Sequence, residues 1–215
     1  MNTASNLLRR ILIYIAGLFF LAFSVSISAN SGLGISPVNS LPYVMALVSG
    51  FQLGNCVIAV YCLYVVIQIL LLGKDFKWFN LFQIIFSILF GYFVDFTDWI
   101  IGDFMIPTYW GRLIMLGISM LFIAVGISLY VDVDLIPMPM EGLTLACAKK
   151  LNLPFHNMKI IADCTAVALS AGISIIFLNH LDGVREGTII TALGAGKLVA
   201  IVQKVIRPAV ERYCS

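Results

Sequence analysis

The sequence predicts an all-α polytopic membrane protein: six transmembrane helices and two short helices, arranged as two inverted three-span repeats. Three observations carry this. The chain of 215 residues is 61% hydrophobic and 11% charged, with a mean hydropathy of +1.02, too little polar surface for a water-soluble domain of this size. Six apolar runs are each long enough, at roughly 20 residues, to cross a hydrocarbon core of about 30 Å. Finally, the chain aligns with itself at an offset of 102 residues.

The first run, 11–29, follows Arg9 and Arg10 and ends at a polar break, "NSGLGISPVNS" (30–40). Ala29-Asn30-Ser31 is a poor cleavage site, so the run is expected to stay in the protein as a span. A short helix over 38–50 follows, introduced by proline. Runs 54–72 and 79–101 complete a first repeat, 1–103. The second repeat, 104–215, begins with run 113–131 and breaks at "DVDLIPMPMEG" (132–142), where Asp132, Asp134 and Glu141 replace neutral residues. A second short helix, 140–151, leads to runs 157–178 and 186–206. At about 1.5 Å per residue neither short helix can cross. Each either re-enters the membrane or lies at its surface as a connector.

The 102-residue offset pairs 10–65 with 112–167. Its identities include Arg10/Arg112, Pro37/Pro139, Asn55/Asn157, Ile58/Ile160 and Cys62/Cys164. A further three-residue shift lays "IIFSILFGYFV" (84–94) over "IITALGAGKLV" (189–199) and matches Gly91 with Gly196. Three spans per repeat is an odd number, so the second must enter the membrane upside down. Interrupted helices at such a repeat interface are where secondary transporters hold their solutes.

Charge sets the orientation. Arg9, Arg10, Lys74, Lys77, Lys149, Lys150, Lys159, Lys204, Arg207 and Arg212 fall on one side; the other holds Arg112 and Arg185 with Asp95, Asp98, Asp103, Asp182 and Glu186. The positive-inside rule then places both termini in the cytoplasm, with Trp78 at the inner interface and Trp99 and Trp110 at the outer one. The expected location is the inner membrane, as a multi-pass protein. Five cysteines form no CxxC pair and read as small buried hydrophobes.

The motifs "GLGISPVNSLP", "IPMPMEGL" and "EGTIITALGAGKLV" resemble bacterial integral membrane proteins of the YitT/YczE type, over nearly the whole chain. The resemblance implies a six-span inner-membrane fold, leaves the substrate open and transfers no site residue. In the family's pattern the last motif ends Gly-Pro; Lys197 stands in that proline's place.

Ionisable groups at membrane depth are costly and therefore functional candidates. Glu141 opens the second short helix, where it is either a cap favoured by the helix dipole or a proton or cation acceptor. Its aligned residue, Asn39, with Ser36 beside it, could hold a polar group of a solute. Asp163 lies about five residues into the fifth span and aligns with Tyr61. Lys197, near the middle of the sixth, either snorkels to the inner face or pairs with Asp163. Asn30, Asp132 and Asp95 are weaker candidates, solvated termini being the simpler account. Neither a metal cluster, a Walker loop nor an acid–base constellation is present in the sequence. A metal, a cofactor, nucleic-acid binding and enzymatic activity are therefore not expected. The expected partners are the lipid bilayer, a small-molecule solute and a second copy of the chain through Gly194 and Gly196. A transporter or exporter of a small polar or charged solute is the leading reading. A non-transporting membrane partner or lipid-binding subunit is the alternative.

Overall fold

A computed structural model describes residues 3–133 and 135–214, and every regular element among them is a helix, without strands. Six helices are long and apolar enough to cross a membrane: α1 (Thr3–Ser31), α3 (Leu53–Leu72), α4 (Phe82–Ile101), α5 (Tyr109–Asp132), α7 (Phe155–Leu178) and α8 (Glu186–Cys214). Two shorter ones, α2 (Pro37–Ser49) and α6 (Pro139–Leu151), follow α1 and α5. The predicted spans and short helices are thus found within about four residues of their expected limits, except that α1 begins eight residues earlier and α8 runs eight residues further than expected.

The two breaks are made by residues that stop one helix and start another. Gly32 and Gly34 adopt positive φ of 64° and 100°, open to glycine at little steric cost. Proline is the first residue of both α2 and α6, a position where its missing N–H is not needed and its fixed φ is already helical. Gly50 and Asn152 close the two short helices in the left-handed conformation, each returning its N–H to the helix.

Helix α1 is the axis of the bundle, packed against α5 and α4, while α5 also carries α8. The α1–α5 crossing is tight because Gly17 and Gly126 face one another; a Cβ on either would stand within 2.9 Å of the other's carbonyl oxygen. Helices α3 and α4 pack together. The short helices exchange sides: α2 lies against α7 as well as its own neighbour α3, and α6 lies against α3 as well as its own neighbour α7. Both are therefore inserted among spans, and five of the 13 residues of α2 and six of the 13 of α6 are buried. Six crossings return the chain to the side it started from, and Arg9 donates to the carbonyl of Tyr213 at 3.2 Å, joining the two chain ends.

Candidate functional site

The exchange of short helices brings their first turns into the middle of the bundle. Asn39, in the first turn of α2, is 9% exposed. Its Oδ1 accepts a hydrogen bond from the Tyr61 hydroxyl of α3 at 3.1 Å, and its Nδ2 donates to Ser36 Oγ at 3.2 Å. Ser36 occupies the N-cap position without capping through its side chain. Ser40 accepts from Ser170 of α7 at 2.9 Å, which seats α2 on that span.

Glu141 occupies the matching turn of α6. Its Oε1 lies 4.0 Å from Lys159 Nζ, and Lys159 bonds Asp163 Oδ1 at 2.8 Å. Glu141 Oε2 is enclosed and has no hydrogen-bond partner, although about a quarter of the side chain is exposed. One lysine thus faces two carboxyl groups among apolar helices. Three buried tyrosines, Tyr14, Tyr61 and Tyr130, lie within electrostatic reach of Glu141. Glu141 is outside the six spans. Burial lifts its carboxyl above the ordinary carboxylate range, Lys159 opposes that, and Asp163 adds to it.

The turn that carries Glu141 is held by side chains from α3 and α4. Gln68 donates to Pro139 O at 3.0 Å and to Gln83 Oε1 at 3.1 Å. Gly142 allows this approach, because a Cβ there would stand 2.7 Å from Gln68 Oε1 and 2.9 Å from Gln83 Nε2. Tyr14 donates to Ile136 O at 3.0 Å and Arg10 to Val133 O, so the break before α6 is tied to α1 as well.

Of the residues singled out from sequence, Asn39, Glu141 and Asp163 are brought together around α3. Lys197 is not. It is exposed on α8, a helix that does not pack against α7, and Asp163 takes Lys159 in place of Lys197. The reason is local: Lys159 and Asp163 are four residues apart on one helix face. Asp95 accepts from the Gly54 N–H at 2.7 Å, answering an open donor at the start of α3. Asp132 accepts from Gln203 of α8 at 3.0 Å. Asn30 donates to Gly102 O. Asp134 lies outside the described residues.

Lys159, Gln68, Gln83 and the tyrosines are not among the sequence candidates. For Lys159 the signal existed in the i, i+4 spacing of "KIIAD". For Gln68 and Gln83 it was a lone amide inside each of two apolar runs.

Residues 8–204 match a family of unknown function (DUF6198), and the chain belongs to it. It is also 26% identical, over 187 residues, to the uncharacterized membrane protein YczE of Bacillus subtilis (strain 168), covering 86% of this chain and 81% of that protein. No solved structure matches. The resemblance carried by the sequence motifs is therefore upheld, and the chain is a multi-pass helical membrane protein of the YczE type.

Proposed function

We propose that this member of the family is a transporter or exporter of a small polar or charged solute, built from two inverted repeats, with its site where α2, α3, α6 and α7 meet. Its location on this reading is the inner membrane, with both termini cytoplasmic. One observation carries the proposal: an incompletely paired carboxylate, Glu141, at the first turn of an interrupted helix inside the bundle, sharing one lysine with Asp163. Such a group can take a proton or a cationic solute group in exchange for Lys159.

The repeat reading gains support from matched contacts. Gln68 holds the turn of α6 at Gly142, and Ser170 holds the turn of α2 at Ser40. Gln68 and Ser170 stand 102 residues apart in sequence, and so do Ser40 and Gly142. A long side chain meets glycine in one half, and a short one meets serine in the other. Arg10 reaches the end of α5 at Val133, while its aligned residue, Arg112, stands against Gly32 at the end of α1. Pseudo-symmetric halves with unlike side chains give a site with a neutral end at Asn39 and a charged end at Glu141.

A thermal-shift screen of purified protein against a metabolite library tests this, run beside Glu141→Gln and Asp163→Asn. A ligand at a hundred times its Kd stabilises the folded protein by about 2.7 kcal/mol. The expected hit disappears in one or both variants and then drives flux in proteoliposomes. Flux that survives both substitutions overturns the mechanism.

A second reading, a non-transporting partner subunit, is favoured by α8. Lys197 is exposed about halfway along it, beside Gly194 and Gly196, and a helix of another chain bearing a carboxylate would cover both. On that reading Glu141→Gln changes stability alone.

A further inference from the structure

Each half of the chain sends an arginine across the α1–α5 crossing, and the two arrive in different company. Arg10 of α1 donates through Nε and Nη2 to Val133 O at the end of α5. Arg112, its aligned residue on α5, reaches the end of α1, where its Nη1 stands 3.6 Å from the place a Cβ on Gly32 would take. There the likeness stops. Ser31 aligns with Val133, yet among the described residues no hydrogen bond joins it to Arg112, whose Nε is enclosed without a partner. The flanking acids are missing as well. Asp132 and Asp134 stand on either side of Val133 in sequence, whereas Asn30 and Gly32 stand on either side of Ser31.

No other described acid on that side of the protein replaces them. Asp95 accepts from the Gly54 N–H, Asp182 pairs with His180 and Glu186 with Arg185. No ion pair joins Arg112 to Asp98 or Asp103. Asp182 and Arg185, one charge of each sign, border a small cavity with Gly32 and add no net charge there. Arg112 also lies in the first turn of α5, the end of a helix that favours anions over cations. A charged donor left unmet carries its full desolvation cost, and the planar fork of a guanidinium is matched by the paired oxygens of a carboxylate or phosphate. Gly32 leaves room for such a group. Chain neighbours aside, only Arg112 Nη1 and Met105 Sδ, at 4.0 Å, come within 4 Å of its Cβ position.

We infer that Arg112 and the turn at Gly32 form a binding site for an oxyanion, a carboxylate or a phosphate, on the side of the membrane opposite the chain termini. The first half takes from a ligand the negative charge that the second half carries in its own sequence. The site stands independently of the transporter reading, since a free anion and an anionic lipid headgroup present the same oxygens to it.

The test uses the full chain in nanodiscs of phosphatidylcholine, with phenylglyoxal modification of Arg112 followed by peptide mass spectrometry. Three additions are compared: succinate, inorganic phosphate (each against chloride at equal ionic strength), and phosphatidylglycerol in place of part of the lipid. At least one is expected to slow the modification by roughly threefold or more, the protection given by a ligand at about twice its Kd. Protection by succinate or phosphate in the neutral bilayer makes the ligand a free anion, and protection by phosphatidylglycerol alone makes it a headgroup; either supports the site. Gly32→Asp places a carboxylate where the ligand's would lie, at a left-handed position that aspartate tolerates. Its Arg112 should react slowly from the start and ignore all three additions. Gly32→Asn, with the same backbone tolerance and no charge, should behave as the parent does. A parent rate that responds to none of the three overturns the inference, and so does protection that persists undiminished in Gly32→Asp, which would place the anion elsewhere. If Arg112 reacts too slowly to follow, thermal unfolding decides: the additions should raise the Tm of the parent and of Gly32→Asn, and leave Gly32→Asp and Arg112→Gln unchanged. Equal rises in all of these proteins, or in none, overturn the site.

Discussion

Helices α2 and α6 occupy matched places and do different electrostatic work. Around α2 the first turn is neutral and its polar groups answer one another: Asn39 with Tyr61 and Ser36, Ser40 with Ser170. Around α6 the turn carries a carboxylate whose Oε2 has no hydrogen-bond partner, and the neighbouring span supplies a lysine already shared with a second carboxylate. Burying a neutral hydrogen-bonded turn costs little, whereas a buried charge is tolerated only when paired or put to use. On the proposed reading, the difference assigns the solute or proton chemistry to the second break and support to the first. It also gives the comparison a form that substitutions can break.

The largest effect is expected from Gly142→Val. Its side chain would displace Gln68 and Gln83, which are bonded to each other, Gln68 also donating to Pro139 O. Overpacking of this kind costs about 3 kcal/mol, and thermal unfolding in detergent should show a large loss of stability. Gly50→Ala, at the end of α2, meets open space and should cost only about 1 kcal/mol, from its left-handed backbone. Equal losses at the two sites would remove the argument that α6 is the more tightly seated helix.

Lys159→Met should come next. It leaves Glu141 and Asp163 facing one another without a cation, a loss of about 2 kcal/mol after allowance for their partial exposure. Adding Asp163→Asn should recover most of it, because the repulsion is then gone. Failure of the second substitution to rescue the first would show that Lys159 acts through packing of its stem. Tyr61→Phe, on the α2 side, removes one neutral hydrogen bond to Asn39 and should cost about 1 kcal/mol, with little dependence on pH.

Much of this was legible in the sequence because each feature had a local cause. Composition and run length gave the spans. Pro37 and Pro139 marked the starts of the short helices, and the recurrence of the break pointed to Asn39 and Glu141 together. Which spans pack together was less legible. A helix that is apolar all round shows that it is buried in lipid or protein but not against which neighbour, so the distance between α7 and α8, and hence the separation of Lys197 from Asp163, left no trace in periodicity. Gln68 and Gln83 are hidden for a related reason: a single amide in an apolar run identifies a polar contact without naming its partner, and theirs is each other and, for Gln68, a carbonyl 71 residues away.

The smallest effect is also the one most particular to α6. Burial raises the Glu141 carboxyl above its ordinary value, with Lys159 holding it down in part. Between the ordinary value and the raised one, the folded protein binds more protons than the unfolded chain, so its stability falls as pH rises through that window. Glu141→Gln carries no such charge. Its stability should be flatter than that of the parent across the same window, and the two curves should converge below it, where the parent carboxyl is protonated in both states. Thermal unfolding measured from acid to neutral pH checks this. Asn39→Asp would place the same charge in the first turn of α2, where Tyr61 and Ser36 already satisfy the amide. The slope with pH should then be steeper than in the parent, because the buried Val57 stands at the position aligned with Lys159. A slope no steeper than the parent's would mean that the two turns differ in sequence but not in their tolerance of charge.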